Sequence, residues 1–73
     1  MSEKKIIEII KKHIKKKKFD KKANLSKINN WDSLAHLNIL FSIEKILKVK
    51  FNINEINSFK NIDEIIQSVK KKK

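Results

Sequence analysis

Apolar residues recur at helical spacing in three stretches of this chain and at alternate positions in a fourth. Ile6, Ile7, Ile9, Ile10 and Ile14 share one face of a helix expected over residues 3–18, with Ser2 as its cap and lysine on nearly every other face. Residues 19–31 hold few regular signals, and Phe19, Leu25 and Ile28 are spaced as anchors of a long loop laid over a core. Asp32 is a good N-cap for a second helix over residues 33–47, its carboxylate suiting the free N–H groups and the positive end of the dipole. Val49, Phe51 and Ile53 then alternate as an extended connector with those side chains inward. Asn54 is placed to cap a short third helix over residues 55–58 with Ile56 inward. Asn61 and Glu64 form a capping pair for a fourth helix over residues 62–70, in which Ile62, Ile65, Ile66 and Val69 keep strict helical spacing, and residues 70–73 make a frayed basic tail. The expected fold is all-α: one domain over residues 1–73, a small four-helix bundle with three long helices and a short third.

The second helix carries more apolar surface than a plain surface helix needs. At about 100° per residue, Ile39, Ile43, Ile46 and Leu47 cluster on one side, while Leu34, Leu37 and Phe41 make a second stripe with Asn38, Glu44, Lys45 and Lys48 nearby. One stripe anchors a helix to a core; the second is left for a partner or a ligand, or is core of a fold packed on both sides. Ser33 falls on the first helical residue, at the rim of the domain. A helix N-terminus favours a phosphate set against it, so a serine there carries a phosphodiester well.

Size and composition narrow the chemistry. A chain of 73 residues has room for one small core, burying little over ~60% of its unfolded surface, which argues against a deep enzyme active site. It has no cysteine, hence no disulfide, thiolate nucleophile or cysteine metal site. No apolar run approaches the ~20 residues of a membrane span, and the lysine-rich N-terminus lacks a continuous signal core, so a cytoplasmic protein is expected. The formal charge of +11 invites a nucleic-acid reading, but its distribution is uneven. Residues 1–30 hold 11 Lys against 3 acids, residues 31–69 hold 4 Lys against 5 acids, and residues 70–73 are all Lys. All 19 basic residues are Lys, so the bidentate base and phosphate contacts of Arg are missing. Lys15 to Lys18 suit an anion or headgroup patch, though a solvated helix end accounts for them more simply. His13 reads as a boundary residue, with no second ligand at metal spacing. His36 lies three residues after Ser33, but no carboxylate is placed to orient it and no glycine makes a nucleophile elbow; it reads as a packing or capping histidine.

Asp32-Ser33-Leu34 opening an apolar helix, continued by Phe51, Ile53, Phe59 and Ile62 to about residue 69, resembles the acyl carrier proteins and related peptidyl carrier domains. Asn30 stands where many of them have glycine two residues before the aspartate, and asparagine tolerates the left-handed turn. The Trp31-Asp32-Ser33-Leu34 form looks like stand-alone carriers of specialised biosynthesis rather than primary fatty-acid synthesis, with Trp31 placed to staple onto His36. The resemblance implies a carrier rather than an enzyme. A phosphopantetheinyl transferase would load 4'-phosphopantetheine from coenzyme A onto Ser33, Asp32 would assist loading near the transferase's Mg²⁺, and the arm would hold an acyl or aminoacyl group as a thioester. It further implies an acyl- or aminoacyl-activating enzyme and an acyl transferase or synthase as partners, met through Leu34, Leu37, Phe41 and Glu44 by a monomeric carrier. Ile43, Phe51, Phe59 and Ile62 would be core or a sheath for a short acyl chain. Because Lys45 and Lys48 stand beside Glu44, partners less basic than the family's usual ones, or mostly apolar contacts, are expected. The competing reading is a small basic helical protein binding nucleic acid or anionic membrane through its lysine clusters.

Overall fold

Isoleucine inside and lysine outside is the pattern that makes the first helix part of a core. A computed structural model describes residues 2–14, 20–28 and 30–72, apart from the side chain of Ser2. In α1 (Ser2–Ile14), Ile6, Ile9, Ile10 and Ile14 are buried, Ile7 is half-buried, and Lys4, Lys5, Lys11 and Lys12 are exposed. β-Branched residues are modest helix formers, so this helix owes its stability to packing of that face. The expected continuation to residue 18 and the anchor Phe19 lie outside the described residues; Ser2, expected as the cap, is instead the first residue of the helix.

Against α1 pack α2 (Ser33–Leu47) and α4 (Ile62–Lys72). α2 runs antiparallel to α1: His13, near the end of α1, meets Ser42, while Lys5 faces Ile46 across a groove; α4 is joined to the start of α1 by Glu3, which pairs with Lys70 at 3.7 Å. The short α3 (Ile53–Ser58) lies beside the first half of α2, to which His36 ties it. The core is one cluster, with Ile6, Ile10, Ile39, Leu40, Ile43, Ile62, Ile65, Ile66 and Val69 wholly enclosed and no buried polar side chain among the described residues. Truncating such a residue to alanine costs about 2–5 kcal/mol. The described residues are thus an all-helical, four-helix bundle without strands.

Three features differ from the sequence expectation. The third helix starts at Ile53, capped by Asn52 rather than Asn54: Asn52 Oδ1 accepts the Glu55 N–H at 2.8 Å while Glu55 Oε1 accepts the Asn52 N–H at 2.9 Å. Ile53 therefore belongs to the helix and is 73% exposed rather than inward, whereas Val49 and Phe51 are buried as the alternation predicts. The basic tail is helical through Lys72 rather than frayed from residue 70. Lys72 is held by Glu55 at 2.9 Å and lies 5.7 Å from the centre of the Phe51 ring. In α2, Ile46 is 53% exposed instead of joining Ile39 and Ile43; it lines a surface groove with Lys5, Glu8 and Ile9 of α1. Leu40 takes its place in the core.

The long loop is laid down as expected at Leu25 and Ile28, both buried. A 3-10 turn, Leu25–Lys27, capped by Asn24, interrupts it. Two backbone hydrogen bonds fasten it, from Leu25 N to Lys60 O at 2.8 Å and from Asp63 N to Lys21 O at 3.0 Å. Asn30 has φ of 70°, the left-handed conformation for which asparagine is suited.

Candidate functional site

The start of α2 is defined by its cap. Asp32, in extended backbone conformation, accepts the Ala35 N–H at 2.8 Å through one carboxylate oxygen, and its carbonyl accepts the His36 N–H at 2.9 Å. The N–H groups of Ser33 and Leu34 have no partner within the helix, as the geometry of a first turn requires. Ser33 is the first residue of α2 and is exposed. Its hydroxyl therefore stands beside free backbone donors at the positive end of a 15-residue helix.

Beside Ser33 opens a groove of about 580 Å³ between the loop, α2 and α3. Trp31, Leu37, Ile56 and Phe59 supply its apolar wall; Asn24, Ser26 and Asn57 supply polar groups. A chain that alternates amides with short aliphatic links would find both kinds of contact here.

His36 holds the groove together. Trp31 Nε1 donates to its Nδ1 at 3.0 Å, and its Nε2 lies 2.8 Å from the Ile56 carbonyl oxygen. Indole only donates and a carbonyl only accepts, so the imidazole here is the neutral tautomer protonated on Nε2. The expected staple of Trp31 on His36 is thus a hydrogen bond with tilted rings, centroids 5.9 Å apart. Both ring nitrogens are engaged away from Ser33. The bond to Ile56, made across 20 residues, has no sequence signal.

The partner-facing candidates divide. Leu34, Leu37 and Phe41 are 68%, 39% and 53% exposed, an apolar stripe on the outer side of α2. Glu44 is half-buried, and its Oε2 accepts the Phe51 N–H at 2.7 Å. The turn that permits this bond passes through Lys48, whose φ of 58° ends α2. Among the interior candidates, Ile43 and Ile62 are wholly enclosed, Phe51 is buried and Phe59 is half-buried. Phe51 and Phe59 meet edge to face at 5.5 Å, and of the four it is Phe59 that lines the groove by Ser33. These four are thus packed core residues, with Phe59 at its margin.

Compared with protein-family models, curated proteins and solved structures, the chain matches none.

Proposed function

We propose that this protein is an acyl carrier, modified with 4'-phosphopantetheine on Ser33 and serving a specialised biosynthetic pathway in the cytoplasm. The observation that carries the reading is an exposed serine at the first position of a capped helix, opening on a groove of mixed polarity. When bound, the arm supplies a thiol that the cysteine-free chain lacks. The Ser33 and Leu34 N–H groups, with the helix dipole, favour the phosphodiester. Asp32 holds the turn that presents the hydroxyl, and only one of its oxygens is used in the cap, so the other is available to a loading enzyme's cation. Trp31 and His36 fix the wall along which the arm would lie. Leu34, Leu37 and Phe41 offer partner enzymes an apolar contact that starts beside Ser33 and runs along the outer face of α2. Those enzymes would be the transferase, an acyl- or aminoacyl-activating enzyme, and an acyl transferase or synthase.

The basic-binder alternative draws on the exposed lysines of α1. As an amphipathic membrane helix, however, α1 would have to withdraw Ile6, Ile10 and Ile14 from the core, where all three are enclosed. No described helix is long and apolar enough to cross a membrane.

Coexpression with a phosphopantetheinyl transferase and intact-mass measurement tests the carrier reading. The expected result is the gain of a single phosphopantetheine, absent in Ser33→Ala. A folded protein that gains no mass with transferases of differing specificity overturns it.

A further inference from the structure

At about 100° per residue, the outer line of α2 runs Leu34, Phe41, Lys45, with Leu37 and Asn38 on either side and Lys48 at the end. It lies opposite the buried Ile39, Leu40 and Ile43. Its first half is apolar and its second half basic, both exposed. Glu44, the sole carboxylate within α2, is half-buried and directed to the Phe51 N–H, so the charges within a partner's reach on this line are Lys45 and Lys48. We propose that this ridge docks a partner protein through an apolar socket edged by carboxylates, which receives Leu34, Leu37 and Phe41 and pairs with Lys45 and Lys48.

Charge complementarity selects this occupant. A basic partner would meet two lysines with no outward carboxylate between them, and like charges brought together at a contact oppose association. A phosphate backbone would satisfy the lysines but leave three large apolar side chains in water. A second copy brings the same lysines and a net charge of +11 against +11. The proposal sharpens the expectation of mostly apolar docking: the contact has an electrostatic end, and salt weakens it. It rests on the carrier reading only for why the ridge should begin beside Ser33.

The probes are two synthetic amphipathic peptides with identical leucine positions, one bearing glutamate and the other lysine on the remaining positions. Each is titrated at low salt into the isotope-labelled full chain, and amide shifts are mapped by NMR. The glutamate peptide is expected to move Leu34, Leu37, Phe41, Lys45 and Lys48 and to bind more tightly than the lysine peptide. Lys45→Gln with Lys48→Asn, the latter chosen because asparagine accepts the left-handed backbone, should weaken it roughly threefold to tenfold, as expected for two exposed ion pairs. Lys4→Gln with Lys11→Gln removes the same net charge from α1 and should weaken it less than twofold, roughly the effect of general attraction alone. Equal losses in the two double variants, shifts confined to α1, equal binding of both peptides, binding of neither, or a dimer in sedimentation overturns the proposal. Neither peptide requires a loaded serine, so this outcome and that of the mass experiment are read independently.

Discussion

His36 shows how far a single side chain can be read from its neighbours. Its place one turn after Trp31 predicts contact between them, and contact is found. What the spacing does not reveal is the second bond, to Ile56 O, because that depends on where α3 comes to lie. Glu44 is a parallel case. In the linear pattern it reads as a surface acid beside Lys45, yet the left-handed Lys48 swings the chain so that the Phe51 N–H arrives at its carboxylate. Lysine gives no hint of that conformation. His36→Phe keeps an aromatic ring while removing both nitrogens, leaving the Trp31 indole N–H and the Ile56 carbonyl without their partner. The expected loss is about 1–2 kcal/mol in urea denaturation. Trp31 is the chain's single tryptophan, so its fluorescence should change in the folded variant as well. Unchanged stability and emission would show that the two bonds do not hold the groove wall.

Helices with a long apolar repeat were the elements most legible in the chain. The bounds of α2 follow from Asp32 and from the run to Leu47, and both are observed. The six-residue α3 is too short for periodicity to place, so its start rests on capping chemistry alone. Asn52 and Asn54 are equally good caps as isolated residues. The signal that separates them is three residues further on: Glu55 follows Asn52 and completes a capping box, whereas Asn57 follows Asn54. Glu55 also binds Ser68 and Lys72, so the same carboxylate joins the start of α3 to the end of α4. Asn52→Ala should cost about 1 kcal/mol and speed amide exchange across Ile53–Ser58. Asn54→Ala, at an exposed position inside the helix, should be close to neutral; the reverse ranking would put the cap where the simpler reading had it.

For the whole molecule, the excess of lysine sets how stability depends on pH. The hydrogen bond and ion pair from Lys21 hold the Glu3 carboxyl below its ordinary value, and Lys70 adds to this. The Asn52 N–H, followed by Lys72, does the same for Glu55. A carboxylate whose pKa is lower folded than unfolded contributes stability that is complete above the unfolded value and lost as pH falls through the folded one. Protonating these groups also raises a net charge already at +11, so in acid the lost pairing and the growing self-repulsion act in the same direction. At the alkaline end they oppose each other. Glu3 raises the pKa of Lys21, whose contribution is complete below the ordinary lysine range and lost as pH rises through the raised value. Over that same interval other lysines discharge and the repulsion fades. The urea midpoint should therefore fall steeply as pH drops through and below the glutamate range, and change much less on approach to the lysine range. Double replacement by Glu3→Gln and Glu55→Gln should flatten the acid limb and, because it also removes the partner that raises Lys21, leave the midpoint level or rising on approach to the lysine range. A symmetrical profile, or an acid limb unaltered by the two replacements, would mean that the exposed pairs around α1 and α4 contribute nothing that pH can remove.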